Sequence, residues 1–274
     1  MSIVIEGSIT IREVTGQNEL RAVEELQKEV WGVPDLEVVP LTQMVAAQAA
    51  GGVLIGAFDG EILVGFAYGF VGCEHGQTTH HSHLLAVKPE YRNYDLGRRL
   101  KFAQRERVLA QDINLMTWTF DPLQSLNAYF NFSKLGVVSD RYFINFYGED
   151  AASFLHQTGT DRLWVTWDLT KNPIDKTNFN DDFEQITRLV KIGVDEFPLV
   201  DDLDEGLKRD HALIEIPASI NDLVKRNGDS AKKWRESTRR AFTEAINAGF
   251  SVENFYRTNR EERQIGVYLL SRRK

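Results

Sequence analysis

Residues 84–100, LLAVKPEYRNYDLGRRL, constrain the fold more than any other stretch of this chain. An apolar strand pattern ends at Val87, Pro89 follows, and a helical pattern begins near Gly97. Such a strand-to-helix junction leaves backbone N–H groups without partners at the positive end of a helix dipole. A glycine there lets the backbone approach a ligand closely. The stretch therefore predicts an anion site, suited to a pyrophosphate, where this strand meets this helix.

The apolar periodicity on both sides of that junction predicts alternating strands and helices. An Asp59–Gly60 pair between two apolar runs is typical of a β-hairpin, because its turn positions tolerate positive φ angles. The order predicted for residues 1–168 is β-α-α-β-β-β-α-β-α-β-β, an α/β fold with a mixed twisted sheet. The predicted strands are Ile9–Val14, Val53–Phe58, Ile62–Val71, His81–Val87, Asn114–Phe120, Tyr142–Tyr147 and Leu163–Leu169, and the predicted helices are Asn18–Val30, Leu41–Ala50, Leu96–Gln111 and Ser125–Lys134.

The composition changes after Leu169, where Thr170–Asp182 is polar and contains a proline and several Asn and Asp residues, as is typical of a linker. Residues 169–274 are predicted to form a second, smaller α+β unit. Its predicted elements are a strand at Leu213–Ile216, a helix near Ala231–Ala248, and strands at Ser251–Arg257 and Gln264–Ser271. This order repeats the second half of the first region. A degenerate internal duplication is one explanation, and the simple recurrence of a common strand–helix–strand unit is the other.

Charge and apolar content exclude several classes of protein. The formal net charge of −8 argues against a general affinity for nucleic acid or an anionic membrane, although residues 98–107 are locally basic. No apolar run approaches the ~20 residues that span a bilayer. The single cysteine, Cys73, excludes an intrachain disulfide, and residues 1–10 lack the pattern of a signal peptide. We therefore expect a cytoplasmic protein without nucleic-acid or membrane partners, and a homodimer is left open.

The motif at residues 87–97 resembles the GNAT superfamily of acyl-CoA-dependent N-acyltransferases. In that family a strand ends in valine, often followed by Pro-Glu-Tyr-Arg and then by Gln/Arg-x-x-Gly-x-Gly/Ala. This chain has Val87, Pro-Glu-Tyr-Arg at 89–92 and Gly97 at the second glycine, while Asp95 stands where the first glycine usually lies. The resemblance covers about residues 8–168. It implies a GNAT-type sheet that binds acetyl-CoA or another acyl-CoA as co-substrate, with no metal.

The resemblance also implies which residues contact coenzyme A. The strand end offers backbone groups to the pantetheine arm, and the turn binds the pyrophosphate with help from arginine side chains. The charge of Asp95 is unfavourable there unless its carboxylate points away or caps the helix. The candidate binding residues are Leu85, Ala86, Val87, Arg92, Asn93, Tyr94, Asp95, Leu96, Gly97, Arg98 and Asn127.

A second, looser match lies at Ala128–Val137, AYFNFSKLGV. It is similar to the helix of the family that ends in Tyr-x-Lys-Leu-Gly-Phe, and it keeps the Lys-Leu-Gly triplet. Phe132 stands where many members carry the tyrosine that protonates the departing thiolate. Tyr129, one turn earlier, is the candidate substitute for that acid.

Histidines are concentrated in and near the strand before the junction, at positions 75, 80, 81 and 83. The resemblance implies a general base about six residues before the final valine, a position that His81 occupies. An ordinary histidine pKa near ~6.5 suits that role at neutral pH, and His83 is the weaker alternative. A metal site is disfavoured because no acidic or cysteine ligand stands nearby at a suitable spacing. The remaining interpretation is that these histidines line an open hairpin edge.

The predicted function is transfer of an acetyl or succinyl group from acyl-CoA to a small amine such as an amino acid. Arg141, Arg162 or the basic run Lys232–Arg240 could receive a substrate carboxylate, although that run is also typical of a solvated helix face. Two alternatives stay open. One is an inactive acyl-CoA-binding sensor or scaffold of GNAT fold, which Asp95 and Phe132 favour. The other is an interaction protein whose C-terminal unit covers the coenzyme A groove.

Overall fold

The computed structural model describes residues 9–148, 158–171, 185–260 and 262–273. Backbone contacts divide the chain into two units. Of the described residues, the first unit contains 9–118 and 168–170, and the second contains the others. The predicted domain boundary at residue 168 differs from this division and stays a prediction. Most of the predicted linker, Thr170–Asp182, lies outside the described residues.

The first unit contains a mixed sheet with the strand order β1-β2-β3-β4-β5. Neighbouring strands are antiparallel, except that β4 and β5 are parallel. The β2–β3 hairpin turns at Gly60, whose φ of +61° is a left-handed conformation that glycine adopts without steric cost. The strands are β1 Ile9–Glu13, β2 Val53–Asp59, β3 Ile62–Glu74, β4 Gln77–Val87 and β5 Leu115–Phe120, of which residues 115–118 belong to this unit.

The sheet of the first unit is covered by the α-helices α1 Gly16–Trp31, α2 Leu41–Ala49 and α3 Leu96–Leu109. The apolar stripe of α1 and Met44 of α2 pack in one cluster with Phe66 and Tyr68 of β3. Successive residues of a strand face opposite sides, so Gly65 lies on the other face, where a Cβ would meet Leu100 of α3. Helix α3 therefore covers the face of β3 opposite to α1 and α2.

The second unit contains a sheet with the strand order β7-β6-β11-β12-β10-β8-β9. Its neighbouring strands are antiparallel, except that β10 and β8 are parallel. The strands are β6 Val138–Phe143, β7 Arg162–Asp168, β8 Arg188–Ile192, β9 Pro198–Val200, β10 His211–Pro217, β11 Phe250–Arg260 and β12 Arg263–Arg272.

The helices of the second unit include the long α7, which packs on the sheet through Phe242. The ring centroid of Phe242 lies 5.1 Å from that of Tyr268 in β12. The short α4 continues directly into a π-helix, which ends at Gly136 with a left-handed φ of +76°. The helices are α4 Ser125–Ala128, the π-helix Tyr129–Leu135, α5 Leu203–Gly206, α6 Ile220–Arg226 and α7 Gly228–Asn247.

The element order predicted for residues 1–168 and the mixed α/β fold are confirmed. One predicted strand, Tyr142–Tyr147, is wrong in its position. Strand β6 ends at Phe143, and a turn follows in which Asn145 has a φ of +48°. The backbone N–H of Asn145 donates to the Asp161 carboxylate at 3.0 Å, so a loop contact fixes the turn. The aromatic run 142–147 has strand-like composition, but this contact cannot be read from the sequence.

Candidate active site

Strands β4 and β5 begin as a parallel pair and then separate. Among the described residues, β5 pairs with β4 at His80–Met116 and His81–Thr117. Strand β4 continues beyond His81 to Val87, hydrogen-bonded to β3 on its other side. The backbone groups of β4 between His81 and Val87 are therefore available on the side where β5 has diverged.

A β-bulge lies where the two strands separate. On the β3 side, Tyr68 pairs with Leu84 and Gly69 pairs with Ser82, so His83 is the extra residue of the bulge. A bulge of this kind bends a strand and strengthens its twist. The bend accounts for the divergence of β4 from β5 immediately after His81.

His81 and His83 belong to a cluster of aromatic rings beside this opening. The ring centroid of His81 lies 5.4 Å from Phe70 and 6.2 Å from His83. The ring of His83 lies 6.4 Å from that of Tyr68. Nδ1 of His81 is 3.2 Å from the hydroxyl oxygen of Thr117 in β5. The contact with Thr117 thus fixes the orientation of the His81 ring through Nδ1.

Both histidines of this cluster are uncharged at neutral pH. Burial, the neighbouring His83 and the charge of Lys101 lower the pKa of His81 to about 4. Burial lowers the pKa of His83 as well. The ordinary histidine pKa expected from the sequence therefore does not hold for His81. Its neutral ring can accept a proton, but it is a weaker base than an exposed histidine.

A buried polar chain runs along the opposite face of β4. Nζ of Lys101, on α3, donates to Ser82 Oγ at 2.6 Å, and Ser82 donates to Gln104 Oε1 at 2.7 Å. Gln104 Nε2 lies 3.3 Å from His80 Nε2. The Lys101 ammonium also lies 3.7 Å from the ring centroid of Trp118. Lys101 is 2% exposed, so it does not contribute to the basic surface that residues 98–107 indicated.

Burial gives Lys101 and His80 unusual proton affinities. It lowers the pKa of Lys101 to about 7. Burial, followed by the charges of Lys101 and His81, lowers the pKa of His80 to about 3. The charge of Lys101 thus disfavours protonation of the histidines on both faces of β4.

The turn between β4 and α3 is a short helical segment that ends in a left-handed residue. Residues Pro89–Tyr94 form a 3₁₀-helix, and Asp95 has φ +52° and ψ +22° before α3 begins at Leu96. Aspartate tolerates this left-handed region better than most residues, which explains how it replaces a glycine. Its side chain makes no capping hydrogen bond, is 62% exposed, and lies 3.5 Å from Arg98. The Asp95 carboxylate therefore leaves the first N–H groups of α3 open.

Two of the arginines in this turn are exposed. Nε of Arg92 donates weakly to the carbonyl of Val87 at 3.4 Å. The guanidinium of Arg98 lies 4.7 Å from the ring centroid of Phe102. Arg99 instead donates to the carbonyl of Ile9 at 3.1 Å, which ties the start of α3 to β1. Arg92 and Arg98 are thus the side chains available to an anion at this turn.

The other predicted coenzyme A residues of the first unit lie between the end of β4 and the first turn of α3. These residues differ in exposure: Ala86 and Leu96 are buried, and Leu85, Val87, Tyr94 and Gly97 are half-buried. The side chain of Asn93 lies outside the described residues. Buried side chains at this position leave the backbone as the contacting group.

Tyr129 and Asn127, the remaining predicted site residues, belong to the second unit. Asn127 is exposed on α4, and Tyr129 is half-buried at the start of the π-helix. Phe132 is fully buried, with its ring centroid 6.1 Å from Phe120 and 5.8 Å from Tyr268. Phe132 therefore serves as a core residue of this unit.

The basic run Lys232–Arg240 is not a solvated face throughout. Arg235 is 2% exposed and donates to the Asp121 carboxylate at 2.7 Å. Arg239 forms two hydrogen bonds with Asp161, each 2.9 Å long. The helical spacing of these two arginines places them on the inner side of α7. Neither acidic partner can be recognised from the sequence, because each lies more than 75 residues away.

The arginines proposed to receive a substrate carboxylate already have neighbours. Arg162 is 8% exposed and donates to the carbonyl of Asp161 at 3.1 Å. The guanidinium of Arg141 lies 4.8 Å from the ring centroid of Trp164.

In the part of the chain that the structure describes, we find no helix with the length and apolar content of a membrane span. The residues of that part contain no cluster of three or more histidine, cysteine or acidic side chains arranged to hold a metal ion.

Comparison with known proteins gives similarity in structure alone. No family model and no curated protein matches the sequence. Similar solved structures include the ribosomal-protein-S18-alanine N-acetyltransferase of Escherichia coli, with a TM-score of 0.48 and 14% identity over 64% of this chain and 99% of that one. Naa50 of Arabidopsis thaliana, in complex with a bisubstrate analogue, has a TM-score of 0.46 and 16% identity over 58% and 97% of the two chains.

A GNAT family acetyltransferase of Elizabethkingia anophelis, solved with acetyl-CoA bound, is similar to the same extent. Its TM-score is 0.43, with 14% identity over 59% of this chain and 98% of that one. Similarity at this level fixes neither an activity nor a substrate for this chain.

Proposed function

We propose that this chain is an acyl-CoA-dependent N-acyltransferase that moves an acyl group, acetyl or succinyl, to a small amine. One observation carries the proposal. Strand β4 leaves its parallel neighbour at His81 and runs on, with free backbone groups, into a turn that opens a 14-residue helix. A thioester with a pantetheine arm and a pyrophosphate needs this combination of an unpaired strand and an open helix N-terminus.

The turn before α3 is suited to the pyrophosphate. The N–H groups of the first turn of α3 have no partner within the helix, and the helix dipole favours an anion there. Arg92 and Arg98 are exposed and can add charge-assisted hydrogen bonds. Asp95 makes no capping hydrogen bond and its carboxylate is paired with Arg98, so the first N–H groups of α3 stay open to an anion despite its charge.

His81 is the proposed general base. Its ring is neutral at physiological pH. In the proposed tautomer Nδ1–H donates to the Thr117 hydroxyl, so Nε2 is unprotonated and accepts the proton. The amine nitrogen becomes strongly acidic once it bonds to the thioester carbon, so a weak base suffices at that stage. The amine is proposed to arrive uncharged, because a base with a pKa of about 4 is too weak to deprotonate an ammonium group.

The remaining steps use backbone groups and a proton donor. A backbone N–H of β4 near Leu85 would stabilise the oxygen of the tetrahedral intermediate. Collapse of that intermediate breaks the carbon–sulfur bond, and the thiolate of coenzyme A takes a proton from Tyr129 or from solvent. Most of the rate acceleration would come from orientation, because the reaction of an amine with a thioester is intrinsically feasible.

The second candidate function is an inactive acyl-CoA-binding sensor or scaffold. The burial of Phe132 favours it, because the position that carries an acid in many related enzymes is occupied here by a core side chain. The lowered pKa of His81 also weakens the base. Binding without turnover separates this function from the enzyme.

We also propose that residues 1–168 form the acyltransferase domain and residues 169–274 a degenerate repeat of its second half. In support, β4 and β5 are parallel, as are β8 and β10. Each pair is followed by helices that end at a left-handed glycine, Gly136 or Gly249, and then by two antiparallel strands. A cytoplasmic location and a small-molecule acceptor are parts of the same proposal.

The test measures binding and turnover separately. Acetyl-CoA, succinyl-CoA and free coenzyme A should raise the melting temperature of the chain, and thiol release should appear across a panel of small amines. Replacing His81 with Ala should lower kcat at least ~100-fold, the usual contribution of a general base, with the Kd for acetyl-CoA nearly unchanged. Loss of both to the same degree would argue against a base role.

Stabilisation without thiol release would support the sensor instead. No stabilisation by any of the three compounds would exclude both functions. A suitable control is Thr10→Val, because Thr10 is exposed on β1 and belongs to no part of the proposed site.

A further inference from the structure

The second unit contains a cavity of about 340 Å³ that the proposed acyltransferase reaction does not use. Strands β8, β10, β11 and β12 form its walls. Its apolar lining includes Leu213, Ile265 and Val267, which belong to one buried cluster. On β12, Val267 alternates with Tyr268, which packs on α7, so the cavity lies on the face of the sheet opposite α7. Its volume is within the range of small-molecule sites.

A buried carboxylate lies in the cavity wall between two arginines. Glu215 is 1% exposed. Its Oε1 accepts from Nε of Arg188 at 2.9 Å, and Nη1 of Arg260 donates to both oxygens at 2.9 and 3.0 Å. The backbone N–H of Ile192 donates to Oε2 at 2.8 Å. These contacts fill the acceptor capacity of the carboxylate, which is about four hydrogen bonds.

The three side chains carry one more positive than negative charge. The side chains of Arg188 and Arg260 are 16% and 36% exposed, while Glu215 is buried. Burying a carboxylate with its partners costs desolvation energy, and apolar residues of similar volume are often as stable or more stable. The excess positive charge beside the apolar lining therefore contributes little to the stability of the fold. It is suited to binding an anion that carries an apolar group.

We propose that this cavity binds a small organic carboxylate with an apolar or aromatic body. Arg260 meets Glu215 through Nη1, which leaves its Nε–Nη2 edge to form a bidentate pair with the ligand. Glu215 holds the arginines in place and takes no part in binding a cation, since its oxygens are occupied. The site therefore takes a simple acid in preference to an amino acid, because the one carboxylate among the lining residues named for this cavity is already occupied and two arginines repel an ammonium group.

The probe is 3-phenylpropionate, titrated calorimetrically into the full chain. Its neutral amide and L-phenylalanine should each bind about 10-fold more weakly, because the first lacks the charge and the second adds an unpaired ammonium. Inorganic phosphate should also bind more weakly, since it lacks the apolar body. Equal or tighter binding of the amide, of phenylalanine or of phosphate would overturn the assignment, as would no binding of 3-phenylpropionate.

Two variants locate the site. Arg260→Gln should weaken 3-phenylpropionate about 10-fold, while Arg263→Gln, an exposed neighbour outside the lining, should leave it unchanged. Because Arg260→Gln removes one partner of Glu215, Val267→Phe is the second variant, which narrows the cavity from the strand position opposite Glu215 and keeps all three charged side chains. It should abolish binding with a preserved cooperative melt. Unchanged affinity in either folded variant would place the ligand elsewhere and overturn the proposal.

Discussion

His81 and Thr117 face each other across the last hydrogen-bonded pair of β4 and β5, with Nδ1 3.2 Å from the threonine hydroxyl. Beyond this pair the strands separate, so the proposed base lies where the opening begins. Replacing Thr117 with Val keeps the shape and removes the hydroxyl. We expect kcat for thiol release to fall about 10-fold, because the ring loses the contact that holds its orientation. The Kd for acetyl-CoA, measured by calorimetry, should stay within about twofold. An unchanged kcat would show that Thr117 does not position His81.

Asp95 combines a left-handed backbone with a charge that opposes anion binding at α3. Asp95→Gly keeps the backbone conformation and removes the charge, so acetyl-CoA should bind about 3–10-fold more tightly. Asp95→Asn should show most of the same gain, which separates charge from conformation. Asp95→Ala should lower the free energy of unfolding by about 1 kcal/mol, because alanine is strained at this φ. If the affinity is the same in all four proteins, the pyrophosphate does not bind at this turn.

The sequence predicts the elements whose signals are local. The Asp59–Gly60 turn identifies β2 and β3, and the proline and glycine around Asp95 identify β4 and α3. These residues determine the backbone conformation at their own positions, so no distant contact is needed to recognise them. The position of β6 was wrong, since a contact from Asp161 sets the turn at Asn145. The burial of Lys101 and Arg235 could not be predicted, because their partners come from distant segments. Short elements such as β9 and α6 carry too little periodicity to be recognised.

Lys101 should make the stability of the chain depend on pH above neutrality. Its folded pKa is about 7, below its ordinary value of 10.5, so between these values the unfolded chain binds more protons. Stability therefore rises with pH through this window, and the full cost of the buried charge is present below pH 7. We expect the free energy of unfolding in urea to rise by about 2 kcal/mol between pH 7 and pH 9 from this group.

Lys101→Met removes the titrating group at similar volume and should abolish that rise. Lys225→Met, at an exposed position, should keep it. Lys101→Met should also raise the pKa of His81, because a nearby positive charge is lost. Histidine resonances followed by NMR between pH 3 and 7 check the direction. A pH-dependent rise that survives in Lys101→Met would mean that the buried ammonium is not its source.

Arg235 and Asp121 form an ion pair that is almost fully buried, with side chains 3% and 9% exposed. Arg235→Met alone leaves an uncompensated buried carboxylate and should lower the free energy of unfolding by about 3–5 kcal/mol. Arg240→Met should change it by less than about 0.5 kcal/mol, since its pair with Glu244 is largely exposed. The double variant Asp121→Leu/Arg235→Met should recover most of the loss, because neither charge then remains buried without its partner. Urea unfolding of the four proteins at one pH checks this order. If the double variant is no more stable than Arg235→Met, the loss arises from the missing packing of the arginine side chain and not from the unpaired carboxylate of Asp121.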